Sequence, residues 1–146
     1  MVQIANLTVK TVDTTLFIKD LLDVRKDELG VVDVFYGSQQ LIPNYPSITV
    51  ESMPKDRELV GTHRFAVTVR SGIMILHAQL QSTTVTKQEC EELAERVEDI
   101  ISEDHTFSGL VVFGYVTGIV PGVTRIGEGL VRASRIIWEG ISREEF

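Results

Sequence analysis

The chain has 146 residues, 43% of them hydrophobic and 24% charged, which is the size and balance of one globular domain spanning 1–146 and excludes a second full core. Fourteen Lys and Arg against 21 Asp and Glu leave a formal charge of -7, so composition does not supply the basic surface of a typical nucleic-acid binder. A single cysteine, Cys90, cannot form an intrachain disulfide, and the first residues lack the basic and apolar regions of a secretory signal; residence in a reducing cytosol is the expectation.

Thr11, Asp13 and Thr14 offer side-chain oxygens to the free amides of a helix start. Leu16, Phe17, Ile18, Leu21, Leu22, Arg25 and Leu29 then recur at spacings of three to four, which predicts a helix stopped by Gly30. The β-branched and aromatic run 31–36 reads as a strand closed by Gly37-Ser38. Pro43 and Pro46 mark an extended loop before a strand over 47–53, and residues 54–61, with Lys55, Asp56, Arg57 and Glu58, read as a charged, exposed connection.

From Thr62 to Leu80 the pattern has period two, with Phe65, Val67, Val69, Ile73 and Ile75 on one face. Unbroken, these residues would extend ~60 Å, about twice the diameter of a globule of this length. Either Ser71-Gly72 is a turn or bulge, or the strand leaves the body and needs an outside partner; a long strand bulged there is the reading taken.

Thr86 and Glu89 have capping-box spacing, Val85 and Cys90 stand at staple positions, and Cys90, Leu93, Ala94, Val97, Ile100 and Ile101 form an apolar helical stripe. Strands over 110–119 and 130–138 follow, joined through a glycine-punctuated loop at 121–129. The order α-β-β-β-α-β-β predicts an α+β fold, a mostly antiparallel twisted sheet with two helices packed on one face.

No chemical motif survives inspection. His63 and His77 are fourteen residues apart, ~46 Å on a straight strand, and cannot share an ion unless a hairpin folds them together. His105 stands apart beside Glu103 and Asp104. The carboxylates Glu89, Glu91, Glu92, Glu95, Glu98 and Asp99 fall opposite the apolar stripe and read as a solvated face, and Cys90 reads as an inert core thiol. Gly114, Gly118 and Gly122 repeat every four residues, but their Val, Phe, Tyr and Ile neighbours favour a strand in which glycine marks a bulge or close backbone approach. Gly127-Glu128-Gly129 does not open a helix, so the dinucleotide fingerprint fails. The apolar run Leu110 to Val123 is shorter than the ~20 residues that span a bilayer. Neither a cofactor nor a metal is expected. An overlong strand and two protruding loops instead expose backbone edges that neighbouring subunits would cover.

Several stretches carry a family pattern: Val34-Phe35-Tyr36-Gly37, the run from Ile42-Pro43-Asn44-Tyr45-Pro46 to Glu51, and Arg57-Glu58-Leu59-Val60-Gly61-Thr62-His63-Arg64. Leu93 to Glu98, Gly109 to Val112, Pro121-Gly122 and Arg135-Ile136-Ile137-Trp138-Glu139-Gly140 complete it. The sequence resembles the tail terminator (tail completion) proteins of long-tailed bacteriophages, from the first helix to the final strand. The resemblance implies a non-enzymatic virion protein assembled in the host cytoplasm. It would form a hexameric ring at the head-proximal end of the tail tube, stop tube polymerisation and join the head-tail connector. Its expected partners are copies of itself, the tail tube protein and the connector, without a membrane.

Arg57, Glu58, Leu59 and Val60 are the first expected contact loop, and Arg125 to Glu128 the second. Six copies at -7 each would carry about -42, which would let DNA slide through the lumen without specific binding, qualified by Arg64, Arg70, Arg132 and Arg135 if they face the channel. Two alternatives stand beside this reading. One is a neck or head-completion protein of the same fold. The other is a small ligand-binding or metal-dependent enzyme using the His63/His77 region.

Overall fold

The computed structural model describes residues 9–39, 41–82 and 85–145, with the element order α1 (Thr11–Val24), α2 (Lys26–Leu29), β1 (Asp33–Tyr36), β2 (Ser47–Ser52), β3 (Asp56–Gly61), β4 (Arg64–Gln79), α3 (Lys87–Ile101), β5 (Phe113–Ile126) and β6 (Gly129–Glu145). The α+β class and the mostly antiparallel sheet are as expected, with β3 and the short α2 added. The strands lie in the order β1-β2-β4-β6-β5, and β3 pairs with β4 beyond the end of β2. Among the described strands only β1 and β2 run parallel.

The first helix begins before the threonines expected to cap it. Lys10 is the N-cap and offers no side-chain bond, while Thr14 and Thr15 lie inside the helix and turn their hydroxyls back onto the Thr11 carbonyl at 2.9 and 2.8 Å. Nor does one helix run to Leu29: the backbone breaks at Arg25, which joins Glu28 at 2.7 Å and Glu103 at 2.6 Å. Gly30, at φ 72°, closes α2 in the left-handed region that glycine enters without penalty. The α3 cap is as expected, with Thr86 Oγ1 accepting from the Glu89 amide at 3.1 Å.

Both long helices cover the same sheet face. Ile18 and Leu22 of α1 and Leu93, Val97, Ile100 and Ile101 of α3 pack with Val67, Val69, Ile73, Ile75, Ile136 and Trp138. The glycine repeat acquires a meaning here. Gly114 and Gly140 are cross-strand partners, and a Cβ on either would come within 3.0 Å of the Trp138 indole. Trp138 lies against Phe107 and Phe107 against Phe17, each with ring centroids 4.4 Å apart, a stack that ties β6 to α1. Phe107 has a φ of 48° and is held there by its loop, in which Asp104 accepts from the Ser108 and Thr106 amides at 2.8 and 3.0 Å. Those bonds hold the Asp104 carboxyl below its ordinary range.

Three further expectations are corrected. Residues 54–61 are not merely a connection, since Asp56–Gly61 is a strand whose residues are all exposed. β4 runs its 16 residues through Ser71-Gly72 without a turn, and the irregularity falls at His77, between Leu76 and Ala78. Residues 121–126 are strand rather than loop, because β5 is an edge strand where proline's missing amide costs no ladder bond. Its own bulge lies between Val116 and Gly118.

The second sheet face is covered only in part. The loop between β1 and β2 lays Ile42 and Tyr45 over Leu76, Val131 and Ala133. No helix among the described residues is long and apolar enough to cross a membrane.

Candidate functional site

Alternation along β4 and β6 decides what each sheet end presents. The β3–β4 hairpin projects beyond the helices, turning at Thr62-His63 with His63 at φ 64°. Arg57 reaches along the hairpin rather than outward. Its guanidinium donates to both Glu144 oxygens at 3.0 and 2.8 Å and stands 5.7 Å from the Phe65 ring centroid, fastening β3 to β6 across β4. Arg70 does the same on the other face, joining Asp56 of β3 and Glu139 of β6. The braced arm therefore presents Glu58, Leu59 and Val60, the two apolar side chains 62% and 57% exposed.

The second expected contact loop is not beside the first. Gly127 (φ 60°) and Glu128 form the two-residue turn between β5 and β6, whose closing residues Ile126 and Gly129 are paired, and Arg125 and Glu128 are exposed there. Arg64, at the arm, pairs with Glu145, while Val131, by this turn, pairs with Gln79. The two loops thus cap opposite ends of the sheet, about 50 Å apart along β6. They cannot form one patch on one subunit. They can form the two unlike halves of a head-to-tail contact.

Between these ends lies an edge. His105 covers its start, with Nδ1 bonding the Gly114 carbonyl at 2.9 Å and its own carbonyl accepting the Gly114 amide at 2.6 Å. From Tyr115 onward the outer side of β5 pairs with no described strand. Phe113, Tyr115 and Ile141 make an exposed apolar patch beside this edge, with Phe113 stacked on His105 at 4.8 Å. Sequence reasoning missed this patch, although the alternation Phe113-Gly114-Tyr115 was its signal.

The strands set Arg64, Arg70, Arg135 and Arg143 on the helix-free face, whereas Arg132 points to the helix side and lines a cavity. The histidines do not converge. His63 is in the arm's turn, and His77 lies near the other end of β4, buried and bonded through Nε2 to Ser134 Oγ at 2.8 Å. Among the described residues no cluster of His, Cys, Asp and Glu is arranged to hold a metal ion. The α3 carboxylates Glu89, Glu91, Glu92, Glu95 and Asp99 are exposed and Glu98 is half-buried, as a solvated face requires. Cys90 is buried, and burial raises its thiol pKa.

No family model matches the chain, and no curated protein matches its sequence.

Proposed function

We propose that this chain is a non-enzymatic assembly protein that closes into a ring of its own copies, of the kind that caps the head-proximal end of a bacteriophage tail tube. The observation that carries the reading is the braced β3–β4 arm, which holds Leu59 and Val60 out in solvent at one end of the sheet. Two neighbouring apolar side chains, fixed by Arg57 and Arg70 rather than left on a loose loop, form a preorganised contact. The complementary surface lies elsewhere on the subunit, at the β5 edge with Phe113 and Tyr115 or at the Arg125–Glu128 turn. A contact between unlike surfaces generates a ring when its rotation closes.

In this role the chain meets the tail tube protein on one side of the ring and the head-tail connector on the other, with DNA passing through the lumen. A net charge of -7 per copy disfavours tight binding of duplex.

The test is solution mass by light scattering across concentration, alone and with tail tube protein, followed by negative-stain microscopy. Rings that appear on addition of tube protein and shorten the tubes support the reading. A monomer under both conditions with tube length unchanged overturns it, as does tight duplex binding at moderate salt for the lumen.

A further inference from the structure

At the arm end of the sheet, one row of paired residues sets two unlike surfaces on opposite edges. Asp56 of β3, Thr68 of β4, Ile141 of β6 and Phe113 of β5 are successive cross-strand partners. The arm therefore flanks one edge and the apolar patch the other, about 14 Å apart across three strand spacings. Beyond β3 on one side and β5 on the other, no described strand follows. Val112 donates its amide to the Ile141 carbonyl at 2.8 Å and extends the patch towards the sheet end. Val112 and Phe113 are 59% and 47% exposed, with Tyr115 and Ile141 beside them, which makes this the larger apolar surface within reach of an arm. His105 already bonds the Gly114 backbone, so a contact here is made by side chains.

Charge gives the contact its direction. Near the arm, Arg57 is paired with Glu144, and Arg70 with Asp56 and Glu139. Glu58 on the arm and Arg143 on β6 are exposed and enter no ion pair among the described residues. Both pair with Ala66, one from each side, so they stand at the same level and on the same face of the sheet. Because β5 begins opposite Ile141, no β5 residue stands between Arg143 and the outside of its edge. A copy set beside the first at that level brings its Glu58 to the neighbour's Arg143.

We infer that the arm of one copy docks at the start of β5 of the next, with Leu59 and Val60 against Val112 and Phe113 and the Glu58 carboxylate paired with Arg143. The inference rests on the ring reading and names the surface that receives the arm. The Arg125–Glu128 turn fits less well. It carries its own cation and anion, and reaching it displaces the copies by about 50 Å along the strands, which leaves Val112 and Phe113 in water.

The test is charge reversal followed by mixing, read as solution mass by light scattering of the full chain, alone and with tail tube protein. Glu58→Arg and Arg143→Glu are each expected to raise the concentration needed for assembly by about tenfold, since each sets like charges face to face. An equimolar mixture of the two variants is expected to assemble as the wild type does, because alternating copies restore an opposite pair at every contact. An effect inside one subunit cannot be relieved by mixing. Arg125→Glu leaves assembly unchanged. The Val60→Cys/Val112→Cys variant supplies a second readout. These positions are too far apart within one subunit for a disulfide, so oxidation yields a ladder of linked copies, where either single variant stops at dimers.

Wild-type chain that stays monomeric with and without tube protein overturns the ring reading and this inference together. Wild-type assembly that both reversals leave intact, or that mixing fails to rescue, overturns the inference alone and gives the patch to the tube protein or another partner. Absence of the ladder in an assembled ring does the same.

Discussion

Replacing Gly140 with alanine tests the packing that joins the sheet to the helices. The new methyl would come within 3.0 Å of three Trp138 ring atoms. Trp138 is fully buried and cannot swing away, because its other face rests on Phe107, which rests on Phe17. Overpacking of this kind costs about 1–3 kcal/mol, against about 0.4–1 kcal/mol regained from the less flexible unfolded chain. A net loss of about 1–2 kcal/mol corresponds to a fall of about 3–8 °C in Tm for a chain of this length. The assay is chemical unfolding followed by fluorescence of Trp138, the chain's one tryptophan, with thermal unfolding by circular dichroism alongside. Gly114→Ala should behave alike, since it meets the indole from the partner strand. Gly118→Ala is the control. Nothing lies within 4 Å of a Cβ built there and its φ is unexceptional, so it should be neutral or slightly stabilising. Equal stabilities for the three variants would refute the claim that the paired glycines make room for Trp138.

The Leu59→Glu/Val60→Glu double variant should change folding stability by no more than about 0.5 kcal/mol, because both positions are largely exposed, while abolishing ring formation in light scattering. Thr15→Val removes a buried hydroxyl that meets Ser52 Oγ and Ser71 Oγ, each at 2.8 Å, and should cost about 1–3 kcal/mol in urea unfolding. His77 predicts a pH effect of definite sign. Its folded pKa, about 4, lies below the ordinary 6.5, so the unfolded chain takes up a proton the native one refuses as pH falls through that window. Relative to His77→Gln, wild-type stability should decline between pH 6.5 and 4 by about 3 kcal/mol in all; parallel curves would show that His77 titrates normally in the fold. Arg57→Gln should loosen the arm without unfolding the sheet, read as faster hydrogen exchange at Glu58–Val60.

Where local pattern and final environment agree, the sequence was sufficient. The α3 stripe and its Thr86 cap, the alternation of β4 on its buried side, and the glycine stop at Gly30 follow from residues within a few positions of one another. So does the α+β class. The arm at 56–61 was hidden because both faces of β3 meet solvent, and a strand with no buried face leaves no alternation to read. Pro121-Gly122 looked like a break because local chemistry cannot say that β5 is an edge, which is a property of the sheet. The β4 irregularity likewise sits at His77, where the ring turns inward to Ser134, rather than at the conspicuous Gly72.

The candidate surfaces divide in the same way. Leu59, Val60, Arg125 and Glu128 were legible as exposed positions near turns, yet their separation at opposite ends of the sheet depends on the β4–β6 register, a pairing between residues about seventy apart in sequence. Phe113, Tyr115 and Ile141 become one patch only where β5 meets β6. Short-range pattern determines elements because their hydrogen bonds and caps are local. Only packing decides which faces are dry, which edges stay open and which charges lose their water.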